Sequence, residues 1–407
     1  MKNNTRKPLK KSASCVSIDV TRFFNKINKI FLCYGVPIIW IHHFNLSKIM
    51  TNLCDLYRII SNIVILMFVA MEWGAFFTQN NLTDKQRIDR LIFNFTHPYL
   101  LTYILNIECY KEKSKLLLYT MMVTLKKVYN DVEVEKKLIK KCSFFSTSFF
   151  IAVAVSALFF GIDAYWQVIT TGSTFIKPLT AWPDLEDRST VANMVRIINY
   201  MILFMLLTRV SGVYVTVVLF LVCLSHQYTN LNRYFFNLRN IFGENLSQME
   251  KEKKYEEALT IGIELHSQTM WCTRQCESIF NAIFSFQIIL NVMLIVLLML
   301  QMMSPGSSLV TAIPLVSTGV SLMYGTGFFM WNAGDITVEA SQVATALYCS
   351  GWENCHISTL RIRHLLLMTI RQAQKPEIIK AFGLIPLSYE SYVSIVKAPY
   401  TIFSVIH

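Results

Sequence analysis

From Ser278 to Gly334 the chain contains no aspartate, glutamate, lysine or arginine. A water-soluble domain rarely carries so long an uncharged run, because its outward positions are mostly polar or charged. About 20 residues at about 1.5 Å each cross a hydrocarbon core of about 30 Å, so this run is long enough for two crossings. The Pro-Gly pair in "SPGSS" (304–308) supplies the turn between them. The rest of the chain agrees, with 53% hydrophobic and 16% charged residues where a soluble domain has about a quarter charged. An all-α, polytopic membrane fold is expected, since a helix satisfies its own backbone groups in lipid.

Long apolar runs predict seven spans, near residues 59–77, 88–107, 144–166, 197–224, 279–303, 309–331 and 387–406. The second carries Asp89, Arg90 and His97 and is expected to face protein or water on one side. No internal repeat argues for an inverted-repeat transporter. The first forty residues lack the compact apolar core and small-residue site of a cleavable signal peptide.

Orientation follows the placement of lysine and arginine. Residues 1–52 hold nine basic side chains against one acid, Asp19. The segment between the second and third spans is also basic, while the next connection contains "WPDLED". The N-terminus is therefore expected inside and, after seven crossings, the C-terminus outside. On this topology Asn81 ("NLT") is the one sequon in an outer loop and the candidate glycosylation site; Asn3, Asn45, Asn94 and Asn245 are not. All ten cysteines avoid the outer loops, so no extracellular disulfide framework is expected.

The stretch from Ser225 to Phe280 reads as the fourth and fifth spans continuing beyond the membrane, with "GENLSQ" as the turn. Cys272 and Cys276 lie one turn apart with His266 nearby, and "ALYCSGWENCHIS" (346–358) brings together Cys349, Cys355 and His356. Neither set has the four convergent ligands of a structural zinc site, so packing is the simpler reading and no metal is expected. In the second set Trp352 is expected to anchor a joint, followed by a basic amphipathic helix that stops before Pro376.

Charges inside spans are costly unless paired or hydrated, so Glu72, Asp163, Arg209, Glu390 and Lys397 are candidate functional positions. Aromatic and methionine side chains crowd the outer halves of several spans, among them Phe95, Tyr99, Tyr165, Met201 and Met205, a surface suited to an apolar ligand. No phosphate loop, dinucleotide fingerprint, nucleophile elbow or HExxH motif occurs, so no enzyme activity and no cofactor are expected. The basic N-terminus suits anionic lipid of the bilayer rather than nucleic acid.

Read together, "GFFMWNAGDITVEASQVATALYCSGWENC" (327–355), "IRQAQKPEIIKAFGLIPLSYESYVSIVKAPYTIFSVI" (370–406), "CLSHQYTNL" (223–231) and "ELHSQTMWC" (264–272) resemble the insect odorant receptor family, nearest to receptors of moths and butterflies. The resemblance implies the ligand-specific subunit of an odorant-gated, non-selective cation channel in the cell membrane of an olfactory neuron dendrite, forming a heterotetramer with the shared co-receptor. It implies that a small volatile, a plant odorant or a pheromone, binds in the outer halves of the second, third, fourth and sixth spans. Carried onto this chain, the ligand-binding positions are Phe95, Tyr99, Gly161, Tyr165, Met201, Met205, Ile313 and Ser317. The pore face of the last helix becomes Ser391, Ser394, Ala398, Ile402 and Val405. Residues 1–334 then form a six-span ligand domain with cytoplasmic extensions, 335–380 a cytoplasmic anchor and 381–407 the pore helix. The alternatives are a gustatory receptor channel, or a G-protein-coupled receptor of opposite topology.

Overall fold

A computed structural model describes residues 18–40, 44, 46–172, 174–303, 309–375 and 377–406. The "SPGSS" turn, the sequons at Asn3 and Asn45, Cys15 and Pro376 lie outside the described residues. The fold is a helical, multi-pass membrane bundle. Seven helices hold all or nearly all of the expected spans, one each: α2 (Lys48–Thr78), α3 (Asp84–Cys109), α6 (Val132–Thr171), α7 (Thr190–Asn237), α8 (Gln248–Met302), α9 (Leu309–Tyr348) and α11 (Tyr389–Ile406). Their connections include α4 (Lys111–Tyr119), α5 (Leu125–Val128), α10 (Thr359–Ala373) and a two-stranded hairpin, Lys380–Ala381 with Ile385–Pro386. Five of the seven, α2, α6, α7, α8 and α9, are long and apolar enough to cross a bilayer by themselves. In α3 the charged and polar residues dilute the apolar run, and α11 has 18 residues with Glu390 and Lys397 among them.

The long helices begin where side chains satisfy the free N–H groups of a first turn. Ser47, Thr83, Asp131, Ser189 and Ser247 are the N-caps, and Thr83 with Gln86 and Ser247 with Glu250 form reciprocal capping boxes. Helix α7 is the hub. It is apolar all round and buried without interruption from Arg209 to Ser225, because α3, α6, α8 and α9 surround it. The outer helices show the reverse pattern expected in lipid: α2 exposes Ile59, Ile60, Ile63, Leu66 and Met67, and α6 exposes Ile151, Leu158 and Ile162.

The basic N-terminal region is more than a charged tail. Helix α1 (Ile18–Cys33) buries Val20, Phe24, Ile27 and Phe31, and the following segment folds back so that Trp40 stacks on Phe24 at 4.8 Å. Asn28 fastens that turn by donating to the Trp40 carbonyl at 2.6 Å. The apolar residues of this helix recur at three- and four-residue intervals, a period that the surrounding lysines obscure.

Away from the loops that join α2 to α3 and α6 to α7, α7 and α8 continue as a helical hairpin closed by a short 3-10 turn, Leu238–Gly243. Gly262 makes the approach possible: a β-carbon there would collide with Phe235 and Tyr234. Helix α9 also extends beyond the apolar zone, then turns through Gly351 at φ +91° into α10. The joint is held by Glu252 of α8, which is fully buried and accepts backbone N–H bonds from His356 (2.6 Å), Ile357 (3.0 Å) and Ser358 (2.6 Å). Trp352 is half-buried there, donating to the Tyr348 carbonyl at 3.0 Å with the Arg363 guanidinium 5.5 Å from its ring. Cys349 is exposed and Cys355 buried, and burial with Glu252 and Glu353 nearby pushes the Cys355 thiol up to about 12. The hairpin before α11 reverses through Phe382 and Gly383, both at positive φ.

Candidate ligand-binding cavity

An apolar cavity of about 170 Å³ lies between α3, α6, α7, α8 and α9. Apolar cavities of about 150 Å³ admit a molecule the size of benzene, so this is space for a small organic ligand. Each wall is a stripe at helical spacing: Phe149, Val153, Ala157 and Phe160 from α6, and Leu203, Leu207, Val210 and Tyr214 from α7. Helix α3 supplies Ile92, Phe93, Thr96, His97, Leu100 and Tyr103; α8 supplies Gln287, Leu290 and Leu294; α9 supplies Thr318, Ser321, Leu322 and Gly325.

Hydrogen bonds order the floor. Tyr103 donates to Gln287 at 2.8 Å, and Gln287 donates in turn to Thr326 at 3.0 Å. Tyr214 donates to the Gly325 carbonyl while its ring lies stacked between Phe149 (3.9 Å) and Phe329 (4.3 Å). Most of the polar groups facing the cavity are therefore already engaged within the wall.

The roof is polar. His97 meets Glu72 of α2 through Nδ1 at 2.6 Å, and both are buried. Above them, Lys177 from the α6–α7 connection pairs with Asp89 at 2.7 Å and lies 3.9 Å from Asp163, which Lys85 meets at 3.3 Å. Gln301 donates to Asp89 at 2.6 Å and Gln167 to Asp163 at 2.9 Å. The Lys177 ammonium also lies 5.1 Å from the Phe160 ring and 5.8 Å from that of Phe93, two cavity-lining aromatics. A second space of about 300 Å³, lined by Lys85, Asp89, Gln167 and Lys177, lies on the other side of Phe93. Lys177 and Phe93 thus divide a polar vestibule from an apolar chamber.

Of the eight ligand positions carried over from the resemblance, none lines this cavity, although the helices are the expected ones with α8 added. Tyr165 and Met201 are 62% and 63% exposed on the bundle's outside, and Ile313 is 47% exposed. Gly161 is filled by Tyr200, whose hydroxyl donates to the Ala157 carbonyl at 2.8 Å. Met205 is half-buried on the side of α7 away from the chamber, two residues and hence about 200° of helix from Leu203 and Leu207. Phe95 and Tyr99 contact one another and Tyr99 meets Phe286 of α8, while Ser317 bonds within its own helix one turn before Ser321. The difference is one of helix phase: large aromatics and methionines mark outward stripes as readily as cavity walls. Thr96, His97 and Gln287 carry no signal of this kind, except that polar residues inside a span imply an interior face, and Lys177 in the α6–α7 connection carries none.

The other positions fall as follows. Helix α11 rests on α8 and α9 through Ile395 and Pro399, with Tyr392 donating to the Met323 carbonyl at 3.3 Å. An adjoining face leaves Ser394 and Val405 exposed with Ser391 and Ala398 half-buried, Ile402 is exposed two turns after Ile395 toward the helix end, and Lys397 is exposed farther round. Arg209 is fully buried, donates to the Gly35 carbonyl at 2.8 Å and lies 3.9 Å from Glu108, so it ties α7 to the N-terminal segment and α3. Asn81 is exposed between α2 and α3, whereas Asn94 is buried and donates to the Arg90 carbonyl. Among the described residues no cluster of three or more histidine, cysteine or acidic side chains converges.

Comparison with known proteins places this architecture. Over 95% of this chain and 98% of the other, the fold superposes with a TM-score of 0.79 on the insect olfactory receptor OR5 of Machilis hrabei in complex with eugenol, at 12% identity. A second structure of that receptor gives 0.77 over 96% and 98%, again at 12% identity. Odorant receptor 65a of Drosophila melanogaster is 25% identical over 169 residues, 42% of this chain and 39% of that relative. Residues 99–400 match the family described as 7tm Odorant receptor, so the chain is a multi-pass membrane receptor belonging to the insect odorant receptor family.

Proposed function

We propose that this protein is the ligand-specific subunit of an odorant-gated cation channel, assembled with the odorant receptor co-receptor in the dendritic membrane of olfactory neurons. The observation that carries this reading is the apolar chamber between the helices of a receptor bundle whose last helix keeps one side uncovered. The neighbouring fold in complex with eugenol supports a small volatile as the occupant. Ser391, Ser394, Ala398, Ile402 and Val405 would face a central pore, and the α7–α8 hairpin with the α9–α10 joint and Trp352 would form the cytoplasmic anchor between subunits. The inside N-terminus and the outside loop carrying Asn81 complete the reading. Binding shifts the gate only by the difference in affinity between closed and open states, so the chamber must fit its ligand better when α11 is in the open arrangement.

The test is to co-express the chain with the co-receptor and record currents across a panel of volatiles. Ala157→Leu, which fills the chamber, should raise the half-maximal concentration at least tenfold, about 1.4 kcal/mol, without reducing surface expression. Tyr165→Ala, on the exposed side, should leave tuning unchanged. Currents that need no co-receptor, or a tuning that follows Tyr165 and ignores Ala157, would refute the reading.

A further inference from the structure

Most hydroxyls lining the chamber are engaged within the protein. Ser156 and Ser321 bond to one another at 2.8 Å and to the Ala152 carbonyl. Ser211 donates to the Leu207 carbonyl and Thr318 to that of Pro314, while Tyr103 and Tyr214 are tied into the floor. Thr96 is the exception: it is nine-tenths buried and lines the chamber, and its hydroxyl has no partner. A threonine inside a helix ordinarily donates to the carbonyl four residues back, as Thr120, Thr216 and Thr326 do here. A buried hydroxyl left without a partner costs free energy, and a bound ligand oxygen would relieve it.

His97, the next residue, also lines the chamber. Its Nδ1 edge is held by Glu72, which turns Nε2 away from α2, and no described residue partners Nε2. Among the described residues His97 is the one ionisable group within ion-pair distance of Glu72. The neighbouring cluster of Lys85, Lys177, Asp89 and Asp163 is balanced within itself. A net charge on the Glu72–His97 pair would therefore sit uncompensated in a low-dielectric interior, which is strongly disfavoured. The pair is neutral as a whole when it holds two protons, either as carboxylate with imidazolium or as carboxylic acid with imidazole. In both arrangements Nε2 carries hydrogen and faces the chamber as a donor.

Resting on the receptor reading above, we propose that the ligand is a small, largely hydrocarbon molecule carrying a carbonyl oxygen, a ketone, aldehyde or ester, that accepts hydrogen bonds from His97 Nε2–H and the Thr96 hydroxyl. Two donors beside an otherwise apolar wall select an acceptor. A hydrocarbon leaves both donors unpaired, and an alcohol brings an additional hydrogen that only the lone pairs of wall hydroxyls such as Thr96, Ser211 and Thr318 could take.

The experiment uses 2-heptanone, 2-heptanol and heptane on the full-length chain in two readouts. In cells with the co-receptor, 2-heptanone should evoke current at roughly tenfold lower concentration than either analogue. Thr96→Val, which keeps the shape, should remove most of that advantage, and Thr96→Ser should retain it. In the purified chain, the carbonyl stretching band of bound 2-heptanone should lie below its position in hexane and move back toward it in Thr96→Val and in His97→Phe combined with Glu72→Leu. Equal potency of ketone and heptane, stronger action of the alcohol, or a band at the hexane position in the wild type would each overturn the proposal. Absence of current with any volatile, alongside a lowered band, would instead sink the receptor reading while sustaining this one.

Discussion

Lys177 shows how much one side chain holds at the roof. It sits between Asp89 and Asp163 and over two rings, at 3% exposure, although it comes from a connection rather than from a span. Removing one partner from a buried ionic set leaves the others uncompensated and costs about 3–5 kcal/mol. Lys177→Met should accordingly lower the midpoint of thermal unfolding of the detergent-solubilised protein, and Asp89→Asn combined with it should recover part of the loss. An unchanged midpoint would mean that water reaches this cluster. Glu252 makes a second residue-scale case. Burial would raise its pKa, but the N–H groups of Ile357, Ser358 and His356 and the Gln248 amide outweigh burial and bring it to about 2. A carboxylate with a depressed folded pKa stabilises fully above its unfolded value of about 4.3, and that contribution disappears as pH falls toward 2. The stability difference between wild type and Glu252→Gln should stay constant from pH 8 to about 5 and shrink below about 4, as read by unfolding at stepped pH.

At the scale of elements, the joint between α9 and α10 illustrates what was readable beforehand. "ALYCSGWENCHIS" was read as a joint anchored by Trp352 before an amphipathic helix, and of its cysteines Cys355 is buried and Cys349 exposed. The partner that closes the joint lies about a hundred residues earlier in the chain, and no local pattern links Glu252 to His356. Gly351 adopts a left-handed conformation with the Arg239 backbone 2.8 Å from where a β-carbon would stand. Gly351→Ala should destabilise the joint by about 1–3 kcal/mol and reduce the yield of folded protein, while Cys349→Ser at the exposed position should leave yield unaltered. Helix α1 is the complementary case: its apolar period was present in the sequence, but lysines at the intervening positions made the region look like an orientation signal alone.

For the whole molecule, the side of α11 that the bundle leaves bare is the natural place for other subunits or a water-filled path. Val405 is 83% exposed near its end, whereas Ile395 is buried against the bundle. In the proposed channel, Val405→Cys should react with a water-soluble thiol reagent and alter the evoked current, and Ile395→Cys should be silent. Protection of the Val405 position in the open channel would place it against a neighbouring subunit instead of the pore.

The long apolar runs and the extension of α7 and α8 beyond the apolar zone were determined by the sequence alone, because a helix in lipid must satisfy its own backbone and so announces its length in composition. Four of the five helices around the chamber, α3, α6, α7 and α9, were expected from the family resemblance while α8 was not, and the interior face of α3 was legible in Asp89 and His97. Which residues face the chamber was decided only by tertiary structure. In lipid both the buried and the exposed faces of a helix are apolar, so periodicity reports no inward direction, and Met201 and Leu203 are equivalent until α7 is set among its neighbours. The roof likewise depends on a lysine from a connecting loop meeting carboxylates on two helices, a long-range pairing that becomes visible when the bundle has closed around it.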